Sequence, residues 1–223
     1  MSEQKHNYSK VKPITDNQVT YKRSLDNNIL TVVKGMAGTG KTFLASVTGA
    51  ELLEDEKSKI EQIILVRPYV DLNNRGIGYL KGGEFEKLQP YVQPMLEAIK
   101  YVLGAEKMTK YLEEGKIQVK ALASIRGMSY NNSYIICDEM QGTVPNEIQA
   151  ITTRIGKDSK MVIMGDTRQS DVKKSVDGLS YLVDIINRYN IQKTGYVELG
   201  KDDIVRSGIT RDFVLAYEKE GWQ

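Results

Sequence analysis

The chain has 223 residues, 40% of them apolar and 27% charged, with a formal net charge of +2. That length suits one α/β domain with a sizeable core, no apolar run approaches the roughly 20 residues that span a bilayer, and the near-neutral charge carries no overall nucleic-acid footprint. A single cysteine, Cys137, rules out an internal disulfide, and a single histidine, His6, rules out a His-based metal cluster or a Ser-His-Asp triad within the chain.

Residues 1–13 read as a polar tail without the apolar stretch of a secretory signal, which points to the cytoplasm, and 14–223 read as one domain. A helix is expected over Asp16–Asn27, capped by Thr15, with Gln18 reaching back in a capping box. The β-branched run Ile29–Lys34 reads as a buried strand, followed by a glycine-rich loop and a helix from Lys41 to Leu53. Ile63–Arg67 is the next strand, ended by Pro68. Residues 68–115 read as a loop and helical insertion: a loop over 68–83, rich in glycine, then helices over 84–103 and 105–114. Strands follow at Ile117–Leu122, Tyr134–Cys137, Met161–Met164 and 194–199, with helices at Pro145–Ile155, 178–189 and Thr210–Glu220. Helices alternate with continuous apolar strands, so a mostly parallel sheet covered on both faces is expected, with ligands at the carboxyl ends of the strands. Cys137, inside an apolar run, reads as a small core residue.

Gly35-Met36-Ala37-Gly38-Thr39-Gly40-Lys41-Thr42 matches G-x-x-x-x-G-K-[ST] in full, between a strand and a helix. The glycines Gly35, Gly38 and Gly40 let the backbone turn its N–H groups inward on phosphate oxygens. The helix beginning at Lys41 aims the positive end of its dipole at the same anion. Lys41 brings a point charge to the β- and γ-phosphates, and Thr42 a hydroxyl to Mg2+. ATP is the expected nucleotide.

Tyr134–Cys137 ends in Asp138-Glu139. Asp138 is the expected Mg2+ carboxylate and Glu139 the group that orients the attacking water. After Met161–Met164 comes Gly165-Asp-Thr-Arg-Gln169, where Gln169 is suited to sense the γ-phosphate. Phosphoryl transfer builds charge that an arginine can stabilise. Arg206 is the first choice, ahead of Arg154 and Arg67; each reads equally as a surface ion-pair residue. Gln18 has two compatible readings, an adenine reader and a capping residue. Tyr69, Tyr79 and Tyr91 either stack on nucleic-acid bases or pack helices over the sheet.

These residues together resemble the PhoH family of P-loop ATPases, over about residues 14–218. The matching stretches include Thr15–Tyr21, Gly35–Ala45, Val66–Pro68, Gly76–Leu80, Tyr91–Pro94, Ile125–Gly127, Ile135–Gln141, Thr153–Gly156, Met161–Gln169, Asp177–Leu179 and Asp203–Arg206. The resemblance implies a RecA-like P-loop NTPase core similar to the motor domains of superfamily 1 helicases. It implies ATP and Mg2+, and ring-shaped homo-oligomers, hexameric in form, in which Arg206 reaches a neighbour's γ-phosphate. RNA or single-stranded DNA is the implied polymer. The chain is expected to leave no room for an appended KH-type or PIN-type domain. It departs from the family pattern at Met140-Gln141-Gly142, where Ala-Gln-Asn is usual, and at Ser207-Gly208, where His-Pro is usual. The compact form is similar to those of bacteriophages, which would mean a host cytoplasm. Three functions fit these features: a nucleic-acid-coupled ATPase, an ATP-dependent switch for a protein partner with low turnover, and a small-molecule kinase. Glu139 and Gly165–Gln169 suit the water-activating motor better than the kinase.

Overall fold

The computed structural model describes residues 11–68, 84–166, 177–206 and 208–220. Gln169, Tyr69, Tyr79 and the stretch Gly76–Leu80 lie outside the described residues.

The elements follow in the order α1 (Asp16–Asn27), β1 (Leu30–Gly35), α2 (Lys41–Glu54), β2 (Gln62–Arg67), α3 (Glu84–Leu103), α4 (Ala105–Glu113), β3 (Ile117–Ala121), β4 (Ser133–Cys137), α5 (Pro145–Thr152), β5 (Lys160–Gly165), α6 (Gly178–Tyr189), β6 (Thr194–Leu199) and α7 (Ile209–Glu220). The six strands form one sheet in the order β3-β2-β4-β5-β1-β6. Every pairing is parallel.

Alternation along each strand divides the core into two layers. Val33, Ile63, Leu65, Tyr134, Ile136, Val162 and Met164 point to the side of α1, α2 and α3. Val32, Ile64, Val66, Ile135, Cys137, Met161 and Ile163 point to the side of α5 and α6. Both faces are buried, which explains why the strands read as unbroken apolar runs. A fully buried side chain of this size contributes roughly 1.5–3 kcal/mol. Cys137 is fully buried among these residues, and burial pushes its thiol pKa well up, leaving it inert as a nucleophile. The segment read as an insertion contributes Leu88, Val92, Met95, Leu96 and Ile99 of α3 to the first layer.

Two local features differ from expectation. The helix expected to reach Ile155 stops at Thr152, where the hydroxyls of Thr152 and Thr153 donate back to the carbonyls of Ile148 (2.8 Å) and Gln149 (2.9 Å). Ile155 instead bridges to Tyr130. The Thr15 cap forms, with Gln18 N–H donating to Thr15 Oγ1 at 3.2 Å. The reciprocal bond of a capping box does not, because Gln18 Oε1 accepts from Ile14 N–H (2.8 Å) instead of from Thr15.

Candidate functional site

The carboxyl ends of β1, β4 and β5 meet on one edge of the sheet. β5 lies between β1 and β4, so the glycine loop and the acid pair stand two strand spacings apart, roughly 10 Å. That gap is a cavity of about 370 Å3 lined by the loop from Ala37 to Phe43 and by Arg67, Pro94, Asp138, Glu139, Gly165, Asp166 and Arg206.

The loop is built as its sequence requires, with one correction. Gly38 and Gly40 both have φ of +81°, the left-handed region that glycine enters without strain. Gly35 is not a turn residue. It is the last residue of β1, and an added Cβ would lie 2.8 Å from the Leu199 carbonyl oxygen and 2.9 Å from Leu199 Cβ. Its role is to let β1 and β6 approach, and Met36 N–H donates to that same carbonyl at 3.2 Å. Met36 is buried beneath the loop, and Thr39 is buried with its hydroxyl donating to the Met36 carbonyl at 2.8 Å. Gly40 caps α2 without a side-chain bond, so the first N–H groups of the helix face the cavity. Lys41 Nζ donates to the carbonyls of Gly35 (2.6 Å) and Met36 (2.8 Å), folding across the loop.

At the end of the loop, Thr42 Oγ1 donates to Asp138 Oδ2 at 3.2 Å. Asp138 is buried, and its other oxygen accepts from Glu139 N–H at 3.0 Å. Burial raises the Asp138 pKa and the Glu139 charge adds to this, against the pull of Arg67 and Lys41. Glu139 has a left-handed backbone, φ 58° and ψ 39°, an uncommon conformation for a residue with a side chain. This turn directs the two adjacent acids differently. Asp138 faces Thr42, while Glu139 Oε2 accepts from Gln141 Nε2 at 2.5 Å.

Two residues connect these groups: Gln141, to which the sequence assigned no role, and Arg67, expected only as a lesser arginine candidate. Gln141 accepts from Asp166 N–H at 3.2 Å while donating to Glu139, so it joins the end of β4 to the end of β5. Arg67, at the end of β2, has guanidinium nitrogens 4.0 Å from Asp138 Oδ2 and 3.7 Å from Glu139 Oε1. Its Nε donates to the Tyr91 carbonyl of α3 at 2.9 Å. Their positions carried a partial signal, since Arg67 is the last residue of β2 and Gln141 lies just past β4, but not the contacts they make. Gly142 is sterically free, since a Cβ there would meet nothing within 4 Å. Its departure from the family pattern leaves the 3-10 turn Met140–Gly142 intact.

Arg206 packs over the loop of its own chain, with Cδ 3.0 Å and Nε 3.1 Å from where a Gly38 Cβ would stand. Val205 N–H donates to the Gly38 carbonyl at 3.1 Å. The guanidinium thus lines the cavity without a neighbouring subunit. Arg154 does not reach the cavity; its guanidinium bonds Thr153 Oγ1 at 3.0 Å on the flank of α5. Gln18 is buried beside the loop and donates to the Thr39 carbonyl at 3.0 Å. Gln169 lies outside the described residues, and Asp166, three positions before it, is at the cavity wall.

The donor set suits a nucleoside triphosphate with a divalent cation. N–H groups, a lysine and an arginine converge on one side, and a hydroxyl and a carboxylate meet on the other. Among the described residues no group of three or more Asp, Glu, His or Cys could hold a metal alone. A cation here would rest on Thr42, Asp138 and phosphate oxygens, the usual shared coordination of Mg2+.

A parallel sheet carrying this loop and acid pair at its carboxyl edge defines a P-loop NTPase of RecA-like fold. The fold is shared with the crystal structure of the HK97 bacteriophage large terminase, at a TM-score of 0.53 and 13% identity over 84% of this chain and 39% of that one. The family model for PhoH-like proteins matches residues 10–218, and the chain belongs to that family. A PhoH-like protein of Bacillus subtilis (strain 168) is 36% identical over 92% of this chain. Protein PhoH of Escherichia coli (strain K12) is 30% identical over 90% of it. The chain spans 63% and 56% of the lengths of those two relatives. Among the described residues no helix is long and apolar enough to cross a membrane.

Proposed function

We propose that the chain is a Mg2+-dependent ATPase whose turnover is coupled to RNA or single-stranded DNA. The observation that carries this reading is the pairing of Thr42 with Asp138 across the phosphate loop, with Glu139 beside them and held by Gln141. Bound Mg2+ would neutralise developing charge on the phosphates. The chain's own residues do the rest. Lys41 exchanges the carbonyls of Gly35 and Met36 for phosphate oxygens. Thr42 and Asp138 would hold the cation. Glu139 accepts a hydrogen bond from the attacking water and polarises it. Arg206, already over Gly38, contacts the γ-phosphate in cis. Gln169 follows Asp166 and would report the γ-phosphate to the rest of the chain. Gln18 braces the loop through Thr39; both ends of its amide are engaged with the backbone, which favours bracing over adenine reading.

The test is Glu139→Gln. This variant is expected to retain a fluorescent ATP analogue at wild-type affinity while turnover falls by about 100-fold or more, the scale of a lost general base. Normal turnover removes Glu139 from the role. Turnover of the wild-type chain is expected to rise when RNA or single-stranded DNA is added, and a rate indifferent to both removes the polymer from the reading.

A second reading, an ATP-dependent switch for a protein partner, is favoured by α7. Ile209, Phe213 and Tyr217 form an exposed apolar stripe on that helix, which begins three residues after Arg206. Turnover too slow to measure, with nucleotide bound and no response to polymer, is the outcome that selects it.

A further inference from the structure

Two stretches marked out by the sequence, Ile125–Gly127 and Thr153–Gly156, take no part in the nucleotide cavity. They meet on the α5 side of the sheet, where Arg126, Asn146, Gln149, Thr153 and Arg154 line an open groove of about 480 Å3. Among the described residues Ala150 is its only apolar wall residue. Positions 146, 149, 150 and 153 recur at helical spacing, so they form one outward stripe of α5. Arg126 faces them from the end of the 3-10 turn that follows β3.

We propose that this groove binds the phosphodiester backbone of single-stranded nucleic acid. The chemistry is one-sided. Among the described residues no carboxylate lines the groove, and neither Arg126 nor Arg154 has an acid partner. Arg154 is braced by Thr153 Oγ1 at 3.3 Å and 3.0 Å, which fixes its fork. Guanidinium groups match phosphate oxygens in pairs, and Asn146 and Gln149 add neutral amide donors. A protein partner would call for an aromatic or aliphatic anchor at the centre of the contact, and Ala150 offers none.

The groove also has a route to the nucleotide. α5 follows the Met140–Gly142 turn directly, so backbone tension on Asn146 or Gln149 acts on the segment that holds Gln141 against Glu139.

The inference rests on the nucleic-acid reading above, and one titration separates them. A fluorescein-labelled oligouridylate is titrated into the wild-type chain and into Arg126→Gln/Arg154→Gln at several salt concentrations. Neither arginine lines the nucleotide cavity, so retention of a fluorescent ATP analogue verifies that the variant is folded. The expected result is weaker binding and a salt slope shallower by about 1.4, roughly 0.7 for each phosphate that an arginine no longer neutralises. Wild-type and variant curves that superimpose overturn this site and leave the polymer reading standing. Absence of oligouridylate binding by the wild-type chain overturns both. Equal competition by a polyglutamate peptide also overturns the inference, because it assigns the groove to an acidic protein segment.

Discussion

At Asp138 and Glu139 the chain places two carboxylates where folding alone would not. Burial raises the Asp138 pKa, so the folded state favours the protonated acid and the charged form costs stability at neutral pH. For a group whose folded pKa is raised, the stabilisation is present below the ordinary carboxylate range and lost as pH rises through the folded value. Asp138→Asn is therefore expected to raise the thermal midpoint of the nucleotide-free protein at pH 7. The gain should shrink as the pH falls and the wild-type carboxyl protonates; a gain that is constant with pH would exclude this cause. Glu139 stores strain of a different kind. A left-handed backbone costs a residue with a side chain about 1–2 kcal/mol, and the freer unfolded chain of a glycine takes back about 0.4–1. Glu139→Gly is expected to stabilise the nucleotide-free chain by up to about 1.5 kcal/mol in urea while abolishing turnover. Both variants would show stability given up for chemistry at adjacent positions.

The site depends on elements distant in sequence. Asp203 is 1% exposed and accepts from Thr15 Oγ1 (2.5 Å), Asn17 Nδ2 (3.0 Å) and Gly200 N–H (2.7 Å). It therefore fastens the start of α1 to the segment that carries Val205 and Arg206 over Gly38. Asp203→Ala leaves three donors without their acceptor and is expected to cost about 2–4 kcal/mol in urea denaturation. It should also weaken ATP binding, because Gln18 and Val205 both brace the loop. A variant as stable as the wild type would show that these bonds are not needed. Much at this scale was legible in the sequence. Ile63–Arg67 and Tyr134–Cys137 announced themselves as buried strands, and Gly35–Thr42 fixed the loop and the start of α2. What could not be read was anything set by contacts between remote residues. Nothing local indicates that β5 sits between β1 and β4, that Arg67 faces both acids, or that Gln18 bypasses Thr15 for Ile14. Gly35 reads misleadingly as a turn residue for the same reason: its constraint comes from Leu199, whereas the left-handed turns belong to Gly38 and Gly40.

For the whole molecule, the sheet order has a consequence in time. Among the described strands β1 pairs only with β5 and β6, and Leu30 meets its β6 partner Thr194 from 164 residues away. Ribosomes add roughly 5–20 residues per second, so the strand that carries the phosphate loop waits about 8–33 s for that neighbour. Until then its apolar residues have no finished sheet to join, and non-local parallel pairing is slow to close. A chain ending at Asn190, which lacks β6, is expected to show no retention of a fluorescent ATP analogue and rapid proteolysis. Full-strength binding by that fragment would mean β5 alone can secure the loop. The loop at the end of β1 is thus made long before its surroundings are, and the phosphate site takes its final form only once β6 has emerged.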